Sequence, residues 1–208
     1  MLIDRFLLNC DIITMTLANK FTMSRVLLAP VFCAVYFMPS VFPSAGALSV
    51  YIMIPLLVFM ELTDFFDGYF ARKMGEVSDF GKLFDPFGDV LVHLTTFFCF
   101  ICSGYMRPFV FILIFYREFS MLFLRLVAVR QGIAIGARKG GKLKTVLYVV
   151  AGFWALFRVC AVRLGFEIPF GSALGTVGDV LFLLCLLAAY VSFVDYLLTF
   201  GKVLKDLK

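Results

Sequence analysis

Charge is scarce in this sequence. Only 16% of the 208 residues are Asp, Glu, Lys or Arg, against 62% that are hydrophobic. That balance excludes an ordinary soluble domain and points to a chain that crosses a membrane several times. Histidine is scarcer still, with one in the chain, so a metal site assembled from several His and Cys side chains has too few ligands. The six cysteines do not form a disulfide framework either. Cys33, Cys99, Cys102, Cys160 and Cys185 lie in apolar runs and Cys10 lies near the N-terminus. The C-x2-C of Cys99 and Cys102 falls within a predicted helix and has no second pair, so packing is the expected role. No repeat, low-complexity stretch or linker divides the chain, and residues 1–208 read as one domain. No cleavable signal peptide is expected, because Asp4, Arg5 and Asp11 interrupt the first residues.

Apolar runs are what the sequence has in abundance. Six of them, at residues 26–42, 49–70, 84–102, 109–128, 145–162 and 180–200, have roughly the 17 to 25 residues that a bilayer requires. The sequence therefore predicts an all-α polytopic membrane protein, with six transmembrane helices bundled over residues 26–200. Residues 1–17 are too broken to span and are read as an N-terminal interfacial helix. The net charge of +5 does not imply nucleic acid, because the basic residues sit between apolar runs, where a membrane surface is the better partner. With a cytoplasmic N-terminus, the outer segments carry only Arg107, Arg158 and Arg163. The other sixteen of the nineteen Lys and Arg residues lie in or beside inner segments, a positive-inside bias. Both termini are then expected inside the cell membrane.

One stretch carries the chemistry. Asp64 and Asp67 end the second apolar run, and Asp85 and Asp89 open the third. At about 100° per helical residue, the first pair lies roughly 60° apart and the second roughly 40° apart, so each pair points one way. If the two helices run in opposite directions across a short loop, all four carboxylates converge at one depth near the membrane surface. Unpaired, each would cost several kcal/mol there. A divalent cation removes both the repulsion and the desolvation problem, and an all-oxygen site suits Mg²⁺, Mn²⁺ or Ca²⁺. Gly68 lets a ligand approach the helix closely and Arg72 follows one turn later, a combination that suits a phosphorylated ligand.

The spacing D-x2-D-G-x2-A-R-x8-G-x3-D-x3-D is filled at every fixed position, by Asp64, Asp67, Gly68, Ala71, Arg72, Gly81, Asp85 and Asp89. It resembles the signature of the CDP-alcohol phosphotransferases. The resemblance implies Mg²⁺ or Mn²⁺ held by all four aspartates, with Asp89 also taking the acceptor proton. It implies a CDP-linked lipid, CDP-diacylglycerol, contacted by Gly68, Ala71, Arg72, Ser78 and Gly81 and by the amino-terminal Asn19 and Thr22. It also implies a homodimer. Thr22-x-x-Arg25, Tyr116-Arg117-Glu118 and Gly141-Lys142-Leu-Lys144-Thr145 resemble the branch of that family whose acceptor is sn-glycerol 3-phosphate. A phosphorylated acceptor is a dianion near neutral pH and needs fixed positive charge. Arg117, Arg138, Lys142 and Lys144 are the candidates. Val90 departs from the Lys usual after the last aspartate, so inositol phosphate and serine stand as alternative acceptors.

Several residues have structural readings of equal or greater weight. Asn19 and Thr22 can cap a helix start, Ser78 can shape a turn, and Glu118 can form an ion pair with Arg117. His93, one turn after Asp89, is expected to be a hydrogen-bonded residue within the bundle, and Glu61 to pair a cation there. The 27 phenylalanines are packing and lipid-facing residues. A different class, a divalent-cation transporter, also uses intramembrane aspartates, but it gives Gly68, Ala71, Arg72 and Gly81 nothing to do.

Overall fold

The computed structural model describes residues 17–74, 79–131, 139–166 and 171–206, with residues 17–18, 64–74, 79–80, 82, 139 and 202–206 described by backbone alone. Six long helices account for nearly all of it: α1 (Leu17–Val41), α2 (Gly46–Met74), α3 (Asp79–Cys102), α4 (Pro108–Arg130), α5 (Lys139–Arg163) and α6 (Gly171–Asp206). A short 3-10 turn, Pro43–Ala45, joins the first two. No strand occurs among the described residues. The protein is an all-α polytopic membrane protein. Five helices are long and apolar enough to cross a membrane. The exception is α4, whose 23 residues carry Arg117, Glu118 and Arg125 along the middle. The expected interfacial helix over residues 1–17 lies almost wholly outside the described residues.

Helix boundaries differ from the sequence expectation in one direction. α1 begins before Asn19, α5 begins at Lys139 and α6 begins at Gly171. Residues expected in loops at 131–144 and 165–178 are thus partly helical. Hydropathy marks where a helix is apolar, whereas backbone hydrogen bonding continues into the polar headgroup region. α6 is 36 residues long, about 54 Å at 1.5 Å per residue, well beyond the hydrocarbon core. Pro30, Pro39, Pro55 and Pro86 lie inside helices, as membrane helices tolerate.

α1 packs along both α2 and α3, α5 pairs with α6, and α4 bridges α3 to α6. The core between them is aromatic and aliphatic: Phe32, Tyr36, Phe97, Phe100, Tyr148 and Phe182 are fully enclosed. Phe97 meets Phe182 edge-on at 5.4 Å between centroids, a favoured aromatic geometry. The five cysteines among the described residues are free thiols, and Cys99, Cys160 and Cys185 are buried in the packing. At the end formed by the α1 C-terminus, Arg163 of α5 donates to Tyr36 O at 2.7 Å and to Ser49 Oγ at 2.9 Å, fastening three helices. Arg107 and Asp179 form an exposed pair at 2.7 Å.

At the other end, α1 and α3 approach closely at Gly88. A Cβ there would lie 2.8 Å from Thr22 Cγ2, inside any van der Waals contact. Thr22 is buried and its hydroxyl is engaged, so it has little room to yield. Gly88→Ala is expected to destabilise the protein by about 1–3 kcal/mol. A thermal melt in detergent checks this, and an unchanged melting temperature would show that the helices separate at no cost.

Candidate active site

Thr22 and Arg25 lie one turn apart on α1 and meet two carboxylates one turn apart on α3. Thr22 Oγ1 donates to Asp85 Oδ1 at 2.7 Å, and the Arg25 guanidinium pairs with Asp89. Arg25 is only 2% exposed, so the charge it carries is met by Asp89 rather than by water. Asn19, one turn before Thr22, is buried on the same helix. Gly81 is buried one turn before Asp85.

Below Asp89, His93 Nδ1 lies 2.7 Å from the Asp89 carbonyl oxygen. The carbonyl can only accept, so Nδ1 carries a proton. His93 Nε2 faces Glu61 Oε1 of α2 at 3.9 Å. This is the expected bundle histidine, and the approach also registers α2 against α3. Asp64 follows Glu61 by one turn and Asp89 precedes His93 by one turn, both toward the ends at Met74 and Asp79. Asp64 and Asp67 therefore sit on α2 at the depth of Asp89 and Asp85, although their side chains are outside the described residues. Among the described residues no group of three or more His, Cys, Asp or Glu side chains gathers into a ligand set. The oxygen donors that are described, Asp85 and Asp89, suit a hard divalent cation.

Asp85 and Asp89 form one wall of a cavity of about 290 Å³. The opposite walls come from α4, α5 and α6 and include Arg117, Arg125, Lys142 and Lys144. Two of these cations are held by one carboxylate. Glu118 Oε1 accepts from Lys144 Nζ at 2.9 Å, Tyr148 OH at 2.8 Å and Arg117 Nη1 at 2.9 Å. Arg117 Nε donates to Ala189 O of α6 at 3.0 Å. Lys144 Nζ also sits 4.6 Å above the Tyr148 ring, a cation–π contact. Arg117 and Glu118 are 4% and 2% exposed. The cluster ties α4, α5 and α6 together and carries one net positive charge.

Residues 15–200 match the sequence model of a family described as CDP-alcohol phosphatidyltransferase. The chain belongs to the CDP-alcohol phosphatidyltransferase family. It is 37% identical over 200 residues to the CDP-diacylglycerol–glycerol-3-phosphate 3-phosphatidyltransferase of Treponema pallidum, covering 92% of both chains. A Bacillus subtilis protein of the same name is 31% identical over 148 residues, 65% of this chain and 73% of that one. A probable phosphatidylglycerophosphate synthase of Mycobacterium tuberculosis is 30% identical over 192 residues, 92% of this chain and 83% of its own. As a CDP-alcohol phosphatidyltransferase, the protein is a membrane-embedded transferase.

Of the residues singled out in the sequence, the structure brings Asp85, Asp89, Arg117, Lys142 and Lys144 to one cavity and sets Thr22 against Asp85. Gly68, Ala71 and Arg72 lie on the backbone of α2, with their side chains outside the described residues, and Ser78 and Arg138 lie outside them altogether. Lys142 and Lys144 occupy a helix rather than the expected loop. At Gly140 the start of α5 passes beside α6, where a Cβ would make an ordinary contact with Ser192 at 3.6 Å. Arg125, Ser192 and Tyr196 line the cavity and were not expected there. For Arg125 a signal existed, since it shares a face of α4 with Arg117; for the two α6 residues none did.

Glu118 pairs with two buried cations, Arg117 and Lys144, so its removal should be felt throughout the α4–α5–α6 side. Glu118→Ala is expected to cost about 3–5 kcal/mol, and Glu118→Gln less because its carbonyl still accepts. Denaturation in mixed micelles measures both. Equal stability of Glu118→Ala and the wild type would show that Arg117 and Lys144 reach water instead.

Proposed function

We propose that the protein transfers the phosphatidyl group of CDP-diacylglycerol to the hydroxyl of sn-glycerol 3-phosphate and releases CMP, a step of phospholipid synthesis. The observation that carries this reading is the cavity in which Asp85 and Asp89 face Arg117, Arg125, Lys142 and Lys144 across about 290 Å³. A carboxylate wall suits the metal-bound pyrophosphate of a nucleotide lipid. A cationic wall suits an acceptor that is itself a phosphate dianion. The names of relatives that this chain matches over most of their length support the same acceptor.

In this reading Asp64, Asp67, Asp85 and Asp89 hold Mg²⁺ or Mn²⁺. When bound, the metal neutralises charge on the pyrophosphate. Thr22 and Arg25 hold the two α3 carboxylates in place. Asn19, Thr22, Gly68, Ala71, Arg72, Ser78 and Gly81 border the CDP moiety. Asp89 accepts the proton of the attacking hydroxyl as its oxygen bonds to the lipid-proximal phosphorus. The bond from that phosphorus to the CMP oxygen breaks, and CMP leaves with the electron pair. Arg117, Lys142 and Lys144, with Arg138, provide the positive field on the acceptor side. Residues 1–208 form one domain with six spans, α4 included, in the cell membrane. The site faces the cytoplasm, and the protein works as a homodimer.

Purified protein with CDP-diacylglycerol, Mg²⁺ or Mn²⁺ and a panel of glycerol 3-phosphate, inositol phosphate and serine tests the reaction. The expected result is CMP and phosphatidylglycerophosphate with glycerol 3-phosphate alone, and no CMP from Asp64→Ala, Asp67→Ala, Asp85→Ala or Asp89→Ala. Preference for serine would refute the acceptor, and metal flux into liposomes without CMP release would refute the enzyme. For orientation, cysteines placed at Ser44 or Ser172 should react with an impermeant reagent from outside and those at Glu76 or Lys139 only from inside. Labelling of position 76 from outside would invert the topology.

A further inference from the structure

Five residues of α3 line the cavity: Asp85, Pro86, Asp89, Val90 and His93. Pro86 and Val90 bring no polar side chain. Asp85 is met by Thr22 and Asp89 by Arg25. His93, 8% exposed, is held through one nitrogen only. Its Nδ1 donates to the Asp89 carbonyl oxygen at 2.7 Å. Its ring meets Tyr148 edge-on at 5.4 Å and Phe97 at 6.4 Å between centroids, so the orientation of the imidazole is fixed. Nε2 is buried without a hydrogen-bond partner, because Glu61 Oε1 at 3.9 Å is out of reach. With Nδ1 donating, the second nitrogen of the neutral ring is an acceptor. A buried acceptor left unbonded is destabilising, and native proteins rarely leave one so without a ligand or water to meet it. The partner it lacks is a donor, so a phosphate dianion does not serve and a hydroxyl does.

From this arrangement we infer that His93 is a specificity-determining residue of the acceptor site, whose Nε2 accepts a hydrogen bond from the hydroxyl of glycerol 3-phosphate that does not react. Asp89 and His93 stand one turn apart on α3, about 6 Å along its axis, and both line the cavity. With the attacking hydroxyl at Asp89, the hydroxyl on the next carbon falls toward His93. The imidazole holds the polyol and takes no proton from it. A site built to bond a hydroxyl rejects the analogue that lacks it, because its own buried acceptor is then left unpaired. His93 therefore selects for adjacent hydroxyls, from the carboxylate side of the cavity and by a neutral contact. The identity of the polyol rests on the reaction proposed above; the need of Nε2 for a hydroxyl donor does not.

Two measurements test this. In the first, wild type, His93→Phe and His93→Gln are assayed with CDP-diacylglycerol and either glycerol 3-phosphate or 3-hydroxypropyl phosphate, which keeps the reacting hydroxyl and the phosphate and lacks the hydroxyl between them. Wild type should favour glycerol 3-phosphate by about tenfold in kcat/KM. His93→Phe, whose ring still packs on Phe97 and Tyr148, should lose that preference through glycerol 3-phosphate alone, with 3-hydroxypropyl phosphate turned over as by wild type. His93→Gln, which keeps an acceptor, should recover part of it. A purely structural histidine would slow both acceptors alike, and an unchanged preference in His93→Phe would overturn the inference. The second measurement needs no variant. His93 is the single histidine of the chain, so ¹⁵N-histidine labelling of untagged protein reports on it alone. The spectrum should show a proton on Nδ1 and none on Nε2. Without lipid substrate, the Nε2 resonance should move upfield with glycerol 3-phosphate and not with 3-hydroxypropyl phosphate. A proton on Nε2, or an Nε2 indifferent to both compounds, would overturn the inference. If wild type makes no lipid product from glycerol 3-phosphate while Nε2 still responds to it selectively, the acceptor reaction fails and the hydroxyl site stands.

Discussion

A charge inside a membrane bundle must be met by another charge, and most of this structure's polar architecture follows from that requirement. Glu118 takes hydrogen bonds from Arg117, Lys144 and Tyr148 and thereby holds α4 to α5, while Arg117 reaches α6 through the Ala189 carbonyl. Arg25 meets Asp89 across the α1–α3 contact. Each pairing is costly to assemble and more costly to break, because an orphaned partner would stay in a low-dielectric interior. The two networks lie on opposite sides of one cavity, one presenting carboxylates and the other net positive charge. The chemistry of the site is the remainder left after internal neutralisation.

That remainder also explains why α4 carries Arg117, Glu118 and Arg125 along its middle. It fails as a membrane span on composition, yet its ionisable residues face its neighbours: Arg117 and Glu118 are buried against α5 and α6, and Arg125 lines the cavity. Its outer face is Phe109, Tyr116, Phe119 and Phe123, all exposed, as a lipid-facing surface requires.

That Asp85 and Asp89 point to one side of α3, where both line the cavity, was legible in the sequence because it depends only on helical period. Glu61 of α2 faces His93 of α3 at 3.9 Å, which sets the register of the two helices. Helix starts were less legible. Gly140 and Gly141 read as a loop, yet both lie within α5, and glycine content alone does not distinguish a loop from the start of a helix. Partners on non-adjacent helices were not legible either. Nothing near Tyr196 announces Arg125, 71 positions away in the numbering, and nothing near Arg25 announces Asp89. The lysines of the α5 start were read as ligands because of their charge; only the structure adds that one of them, Lys144, is already engaged by Glu118.

The central claim is that the carboxylate wall and the cationic wall belong to one reaction chamber. Paramagnetic relaxation tests it most directly: Mn²⁺ is added to the purified protein and the ³¹P relaxation of glycerol 3-phosphate is recorded. The account predicts strong Mn²⁺-dependent relaxation in the wild type, lost in Asp85→Ala with Asp89→Ala, where the metal has no site, and weakened in Arg125→Gln, which removes one cation of the facing wall. Relaxation of the acceptor phosphorus that is indifferent to Mn²⁺ while turnover persists would place the two substrates in separate sites and contradict it.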